Sequence, residues 1–409
     1  MSDGRLRYHG ARVITSPTHA AFFLAVLWCS SPTVHGASTD ARCIPFDSSN
    51  NQIALQARVN GHDAVWLTLD TGSQGSVLDE RKAAALGLAS EGRQQSLGAG
   101  GLQAGSTVRG VDVELAGFRL PDQTMDTLSL DALSAAGGRR MDGILGHQVF
   151  SRWVVAIDYP RSCLSLLEAA DFATGGNGVV PIEIVEDHPY VTASVVLPGG
   201  RSITGRFVID TGSSSSLILS PEAIDGEGFE AAVGKTLQVQ GQGVGGSVTL
   251  RLARAERFDL GGFSLARPIV VLQPAGAGRV SAPGTLGNIG GAILRRFKVT
   301  FDYAGHRMRL EPGPDFAMPF EGDMSGLTLV TPPPDFATLR VARVMEGSPA
   351  FEAGVQAGDE IESVDGTPAG ATSLPALRER LRHEGKKVRL VLRRGTERIT
   401  VTVSTRRLI

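Results

Sequence analysis

The 409-residue chain has almost no net charge: 40 Lys and Arg stand against 42 Asp and Glu, a formal −2. With no basic excess to neutralise phosphates, nucleic acid is not an expected partner. Cysteine is scarce, three in all, and the 8 histidines are scattered. No C-x-x-C and no H-E-x-x-H occurs, so neither a metal site nor a cofactor is expected. No G-x-S-x-G is present, which removes the serine-hydrolase elbow. No run reaches the 18 or so apolar residues that a spanning helix needs.

What is abundant is glycine, 51 residues, nearly twice the usual share of about 7%. No G-X-Y period accompanies it, so collagen is out. In a chain that is 42% apolar and 20% charged, this glycine predicts many tight turns between short strands. The N-terminus reads as an export signal. Arg5, Arg7 and Arg12 precede the apolar run 20–28, with Val34 and Gly36 before a cleavage point near residue 37. The alternatives are a misplaced start and an uncleaved anchor. Cleavage leaves Cys43 and Cys163, an even count that permits one disulfide in an oxidising compartment or two buried thiols. The expected location is periplasmic or secreted, with no stable membrane span left.

A repeat runs through most of the chain. Val-Trp-Leu-Thr-Leu-Asp-Thr-Gly-Ser ends at Ser73, and Arg-Phe-Val-Ile-Asp-Thr-Gly-Ser ends at Ser213, putting Asp70 and Asp210 140 residues apart. Two glycine clusters follow, Gly98-Ala99-Gly100-Gly101 and Gly243-Val244-Gly245-Gly246, offset by 145. Ile144-Leu145-Gly146 then matches Asn288-Ile289-Gly290, and Arg152 to Tyr159 matches Arg296 to Tyr303, each offset by 144. Four landmarks in one order at nearly one offset mean two copies of a unit of about 130 residues. Alternating segments at 52–59 and 111–115, and an Asn60-Gly61 turn, make each copy β-rich. Helices are brief, one over 79–88 capped by Asp79 and one opened by Ser220-Pro221.

Each Asp-Thr-Gly follows a strongly apolar strand, so its aspartate should emerge from the edge of a core. One such tripeptide is weak, since an Asx-turn closing a hairpin reads the same way. Two, in duplicated units, point to a pair meeting on a pseudo-twofold axis. At a separation of roughly 3 Å and an effective dielectric near 20, their repulsion is about 5 kcal/mol, roughly four pKa units. One proton is then shared. The ionised member can take a proton from water while its partner donates to a carbonyl. By contrast, Gly241-Gln242-Gly243-Val244-Gly245-Gly246 satisfies G-x-G-x-x-G, but the strand-like 247–252 follows where a dinucleotide site needs a helix. His188, beside Pro189, reads as a loop or strand-edge residue. Asp142, Asp158 and Asp302 read as turn carboxylates.

On these motifs residues 44–312 resemble the aspartic proteases, most closely the bacterial single-chain, retropepsin-like group. The resemblance implies that Asp70 and Asp210 are catalytic. It implies that Thr71 and Thr211 cross-brace their loops, and that Gly72 and Gly212 let the carboxylates become coplanar. The two glycine clusters would be flap tips over the substrate, one from each lobe. Ser73 and Ser213 would donate hydroxyls to the carboxylates and favour an acidic optimum.

After the proline-spotted stretch 311–320, a plausible linker, the pattern changes. Gly326-Leu327-Thr328-Leu329, Gly347-Ser348-Pro349-Ala350 and Ala357-Gly358-Asp359-Glu360-Ile361, with a helix from about 373 to 383 carrying Leu374, Leu377 and Leu381, resemble a PDZ domain of the bacterial protease type. The resemblance implies that the amides of residues 326–329 hold a peptide's terminal carboxylate, with the peptide lying against Leu374. A PDZ-like module with a blocked groove is the alternative.

The expected architecture is mainly β: two retropepsin-like acid-protease β-barrel lobes related by a pseudo-twofold axis, plus a C-terminal α+β PDZ domain. The expected boundaries are a signal peptide at 1–37, lobes at 40–172 and 178–315, and the PDZ domain at 322–409. The expected activity is an aspartic endopeptidase acting on proteins or peptides, with the PDZ domain recruiting substrates. A non-catalytic peptide-binding adaptor is the reading from another class. A homodimer with lobes paired between chains is a third.

Overall fold

The computed structural model describes residues 42–409 apart from 63, 173, 174, 176, 226–228 and 279–283. The expected export signal, 1–37, lies outside the described residues. Among them, no helix is long and apolar enough to cross a membrane.

The molecule is mainly β. In the first repeat, Ile53–Val59 and Val65–Leu69 form a hairpin over Asn60 and Gly61, both at positive φ as a two-residue turn requires. Val65–Leu69 continues into a parallel pairing with Gly143–Leu145. It is therefore a central strand, and it reads as an apolar run because both faces are covered. Val65, Leu67 and Leu69 are at most 1% exposed, each worth roughly 1.5–3 kcal/mol in burial. The second repeat builds the same unit from His188–Val196, Ser202–Ile209 and the parallel Gly287–Ile289. Helix Glu80–Ala85 starts at Asp79, whose carboxylate accepts from the Lys82 amide, and helix Pro221–Ile224 starts at Ser220.

The lobes are joined by a shared sheet in the order Val179–Pro181, Arg307–Pro312, Phe297–Asp302, Val154–Asp158, Cys163–Leu167, Ile44–Asp47. At its centre the repeat meets itself. Ile157 faces Val299 and Val155 faces Phe301, and exchanging the copies turns one pair into the other. That register is a local twofold written into hydrogen bonds. Cys43 and Cys163 form a disulfide, which ties the start of the first lobe to its closing hairpin.

The C-terminal domain has its own core of Leu329, Val341, Ile361, Leu377, Leu390 and others. Its sheet runs Leu327–Val330, Leu339–Val344, Glu360–Val364, Lys387–Arg394, Glu397–Ser404. Its longer helix is Leu374–Arg380, capped by Ser373, and it ends sooner than the leucine spacing predicts because Leu381 already serves as the C-cap. Residues 311–320 do not form a free linker. Glu311 and Pro312 end a strand, and Arg296 donates to the carbonyls of Asp315, Phe316, Met318 and Pro319 while lying 3.5 Å over the Phe320 ring. A guanidinium offers five donors in a fork, and a run of carbonyls with no strand partners satisfies them.

Candidate active site

Each aspartate sits one residue beyond its buried strand, where the parallel neighbour ends. Asp70 N–H donates to the Leu145 carbonyl at 2.9 Å and Asp210 N–H to the Ile289 carbonyl at 2.9 Å. Both carboxylates thus leave their cores at the same point of the pseudo-twofold. Their side chains are hydrogen-bonded to each other. The approach requires glycine two residues on: a Cβ on Gly72 would overlap the Asp210 carboxyl group, and one on Gly212 would overlap that of Asp70.

The loops are locked by Thr71 and Thr211, both buried. Thr71 N–H donates to Thr211 Oγ1 and Thr211 N–H to Thr71 Oγ1, each at 3.0 Å. Each hydroxyl then donates across the axis, Thr71 to the Ile209 carbonyl at 2.7 Å and Thr211 to the Leu69 carbonyl at 2.8 Å. Both threonine amides and both hydroxyls are engaged across the axis, so the two loops form one unit despite 140 intervening residues.

The twofold breaks at the carboxylates. Gly72 N–H reaches Asp70 Oδ1 at 2.7 Å. Asp210 Oδ1 receives Gly212 N–H at 2.8 Å and Ser213 N–H at 2.9 Å, and Asn288 Nδ2 donates to Asp210 Oδ2. Asn288 is fully buried, and Ile144 holds its place in the first repeat. Burial, and then the charge of Asp210, push the Asp70 carboxyl well above the usual carboxylate range. The pair holds one proton between its two members, and the donors that converge on Asp210 favour a charge on that side.

The expected serine hydroxyls play no part in this. Ser73 Oγ donates to the Gly75 carbonyl at 2.6 Å, and Ser213 Oγ accepts from Ser215 N–H at 3.4 Å. The loop turns back on itself at the serine, so its hydroxyl closes the turn rather than the carboxylate. These hydroxyls therefore do nothing to lower the titration of the pair.

Two further side chains reach across the lobes, Gln52, which no motif marks, and His188, which the sequence places only at a loop or strand edge. Gln52 Nε2 donates to the Gly212 carbonyl, and His188 Nε2 donates to the Gly72 carbonyl at 3.1 Å. The ladders show them to be counterparts. Ala54 pairs with Thr68 and Tyr190 with Val208, so Gln52 and His188 each precede the same register point by two residues. Each leans across to the other lobe's loop. His188 opens a strand directly after the turn at Glu186 and Asp187, both at positive φ, and is a cross-lobe brace rather than a simple edge residue. Asp142, Asp158 and Asp302 accept backbone N–H groups from Trp66, Arg161 and Gly305.

Over the pair stand two hairpins, Glu91–Gly98 with Gly101–Leu115 and Leu237–Gly243 with Gly246–Arg254. Gly98 pairs with Gly101 and Gly243 with Gly246, leaving Ala99-Gly100 and Val244-Gly245 as the turns. The tips touch: Gly100 N–H donates to the Val244 carbonyl at 2.8 Å, and Gly245 N–H to Gln103 Oε1 at 3.0 Å. Beneath them is a cleft of about 680 Å³, lined by both aspartates and both hairpins.

An aspartyl protease family model matches residues 55–149 and 191–288, once per repeat, and a PDZ domain model matches residues 340–394. The chain is an aspartic protease with a C-terminal PDZ domain. Among solved structures, the aspartic proteinase from Irpex lacteus matches with a TM-score of 0.44 and 14% identity, over 68% of this chain and 98% of that one. No curated protein sequence matches the chain.

The PDZ loop differs from its expected form. Gly326 N–H donates to Asp323 Oδ1 at 2.6 Å, Ser325 N–H to the same oxygen at 3.0 Å, and Leu327 N–H to Ser325 Oγ at 3.1 Å. Of the four amides expected to hold a peptide's carboxylate, that of Gly326 is taken by Asp323, three residues upstream in an Asx-turn, and that of Leu327 by the Ser325 hydroxyl. Burial raises the Asp323 carboxyl above its usual range. Leu374, expected to face a peptide, is 1% exposed, and a Cβ on Gly138 of the first lobe would lie 2.6 Å from its Cβ. Thr331 N–H donates to the Ala135 carbonyl at 2.9 Å beside it.

Proposed function

We propose that this protease is an endopeptidase in which Asp70 and Asp210 activate water between the lobes. The observation that carries the reading is the hydrogen-bonded aspartate pair, held by the threonine cross-brace under two flaps. Asp210, whose oxygens receive the Gly212, Ser213 and Asn288 donors, takes the part of the base and removes a proton from water as the water oxygen attacks the peptide carbonyl. Asp70 then takes the part of the acid and donates the pair's shared proton to the carbonyl oxygen as it becomes tetrahedral. Collapse of that adduct returns a proton to the leaving nitrogen. This is the known logic of acid-protease pairs, and the residues here supply each part of it.

The PDZ domain's part is to position protein substrates. A peptide terminus and Asp323 compete for the Gly326 amide, so recruitment there requires Asp323 to give way. Export to an oxidising compartment, by cleavage near residue 37, completes the reading. Its support is the Cys43–Cys163 bond.

The test is hydrolysis of an unstructured protein by purified wild type, Asp70→Asn and Asp210→Asn. Each substitution should lower kcat at least about a thousandfold, since general acid–base partners contribute roughly 10²–10⁴ each and the two act as a unit. Wild-type rates in either variant would refute the mechanism.

A further inference from the structure

The duplication allows the two walls of the cleft to be compared place by place. In the first lobe Val77 pairs with Ile144 on one side and with Asp126 on the other. In the second, Ile218 pairs with Asn288 on one side and with Val271 on the other. Asp126 and Val271 therefore occupy equivalent positions, and both line the cleft. One wall presents a carboxylate where its twin presents an isopropyl group.

Among the described residues nothing uses that carboxylate. The Asp126 amide is engaged, donating to the Ser76 carbonyl at 3.0 Å. Among the described residues no hydrogen bond or ion pair reaches its side chain, although it is half-buried. Among the described residues no lysine or arginine lines the cleft, while Glu186 adds a second acidic group besides the catalytic pair. Its cross-strand partners are Val77 and Thr107, and the cleft wall around it is built from the aliphatic Val77, Leu128 and Ile144. A partly desolvated carboxylate at the end of an aliphatic wall is matched by a long apolar stem with a cationic tip. A substrate glutamate or aspartate there would meet repulsion with no cation to offset it.

We propose that Asp126 is a specificity-determining residue that makes the first-lobe wall a subsite for lysine or arginine, so that the enzyme cuts peptides carrying a basic side chain beside the scissile bond. This rests on the endopeptidase reading and names its substrate class. The second wall, with Val271 at the equivalent place, takes an apolar side chain, so the two sides of the cut differ.

The experiment uses the full chain and a set of peptides identical except for one flanking position, filled in turn by Lys, Arg, norleucine and Glu and scanned along both sides of the cut. At one position wild type should prefer Lys or Arg over norleucine in kcat/KM by about tenfold, the scale of one well-placed ion pair. Asp126→Val should bring that ratio to one or invert it, and Val271 at the equivalent place shows that the fold accepts valine. Asp126→Asn, nearly isosteric, should do the same. Equal wild-type rates at every position, or a basic preference that survives both variants, overturns the proposal. Binding of the same peptides with a reduced, uncleavable bond is measured in parallel. A chain that cuts nothing but binds the Lys peptide about tenfold tighter than the norleucine one, with the difference lost in Asp126→Val, refutes the endopeptidase reading and keeps the cation subsite. Equal binding in that case overturns both.

Discussion

Asn288 shows how one side chain can give two matched aspartates different work. The repeat supplies the same loop, threonine and glycine to both, and by symmetry neither carboxyl group would be preferred for the proton. An amide donor on Asp210 Oδ2, where the other copy has Ile144, removes that degeneracy. Asn288→Ile copies the first repeat into the second and also removes Asn288 Oδ1, a buried acceptor with no partner, so the fold should tolerate it. A hydrogen bond to a charged group is worth roughly 1.5–3 kcal/mol, about one to two pH units. The sign follows from what is lost: a donor to the ionised form. The acid limb of the kcat/KM profile, which reports ionisation of the pair as a whole, should therefore move upward by that amount. An acid limb at its wild-type pH would show that Asn288 only fills space. The aspartates and threonines were legible in the sequence because duplication repeats them. Asn288 was visible there as the one polar departure in a repeated apolar triplet, but its partner lies 78 residues away, and no local pattern announces such a bond.

The elements were legible where a local rule decides them. Asn-Gly makes a hairpin, Asp79 and Ser220 make caps, and glycine clusters make tight tips. What local rules could not show is that the two tips meet. That contact depends on glycine in a stricter way than flexibility. Gly245 has φ +92°, and a Cβ there would overlap the Gly101 carbonyl oxygen of the opposite hairpin. Gly245→Ala should hold the flaps apart while leaving both lobe cores untouched. With the cleft open to water, the same carboxylates act in a higher dielectric. We expect kcat/KM to fall by about tenfold or more, equivalent to some 1.4 kcal/mol of transition-state stabilisation. The melting temperature should move by no more than a few degrees. Unchanged kinetics in a well-folded variant would mean that the tips need not touch for turnover. The PDZ loop taught a related lesson. The Gly326 segment was legible as a carboxylate-binding turn, but the carboxylate it holds is Asp323, three residues upstream.

At the scale of the molecule, the sequence reads as separable parts, whereas the structure fastens them together. The lobes share a sheet whose register is its own twofold image, which the matched Arg-x₅-Asp-Tyr segments foreshadowed. The stretch before the PDZ domain is rich in proline and reads as a spacer. Composition alone misleads there, because the feature that orders the stretch is a cation elsewhere in the chain. Arg296 is only 6% exposed, and burial pushes its pKa down to about 10. It stays charged at neutral pH and holds the strap by its carbonyls. Arg254 adds a second fastening, donating to the carbonyls of Phe320 and of the C-terminal Ile409 at 2.8 and 3.2 Å. Arg296→Ala leaves at least four carbonyls without their donor and uncovers the Phe320 ring. The cost should be about 3 kcal/mol, given that each charge-assisted bond contributes roughly 1.5–3 and the bonds share one side chain. Limited chymotrypsin digestion reads the consequence directly. Wild type should resist cleavage after Phe316, since a strapped backbone cannot enter a protease, while Arg296→Ala should be cut there and release the PDZ domain. Arg296→Lys keeps the charge without the fork and should fall between the two. If the alanine variant is as resistant as wild type, the strap is held by its own turns and by Arg254, and Arg296 does not order it.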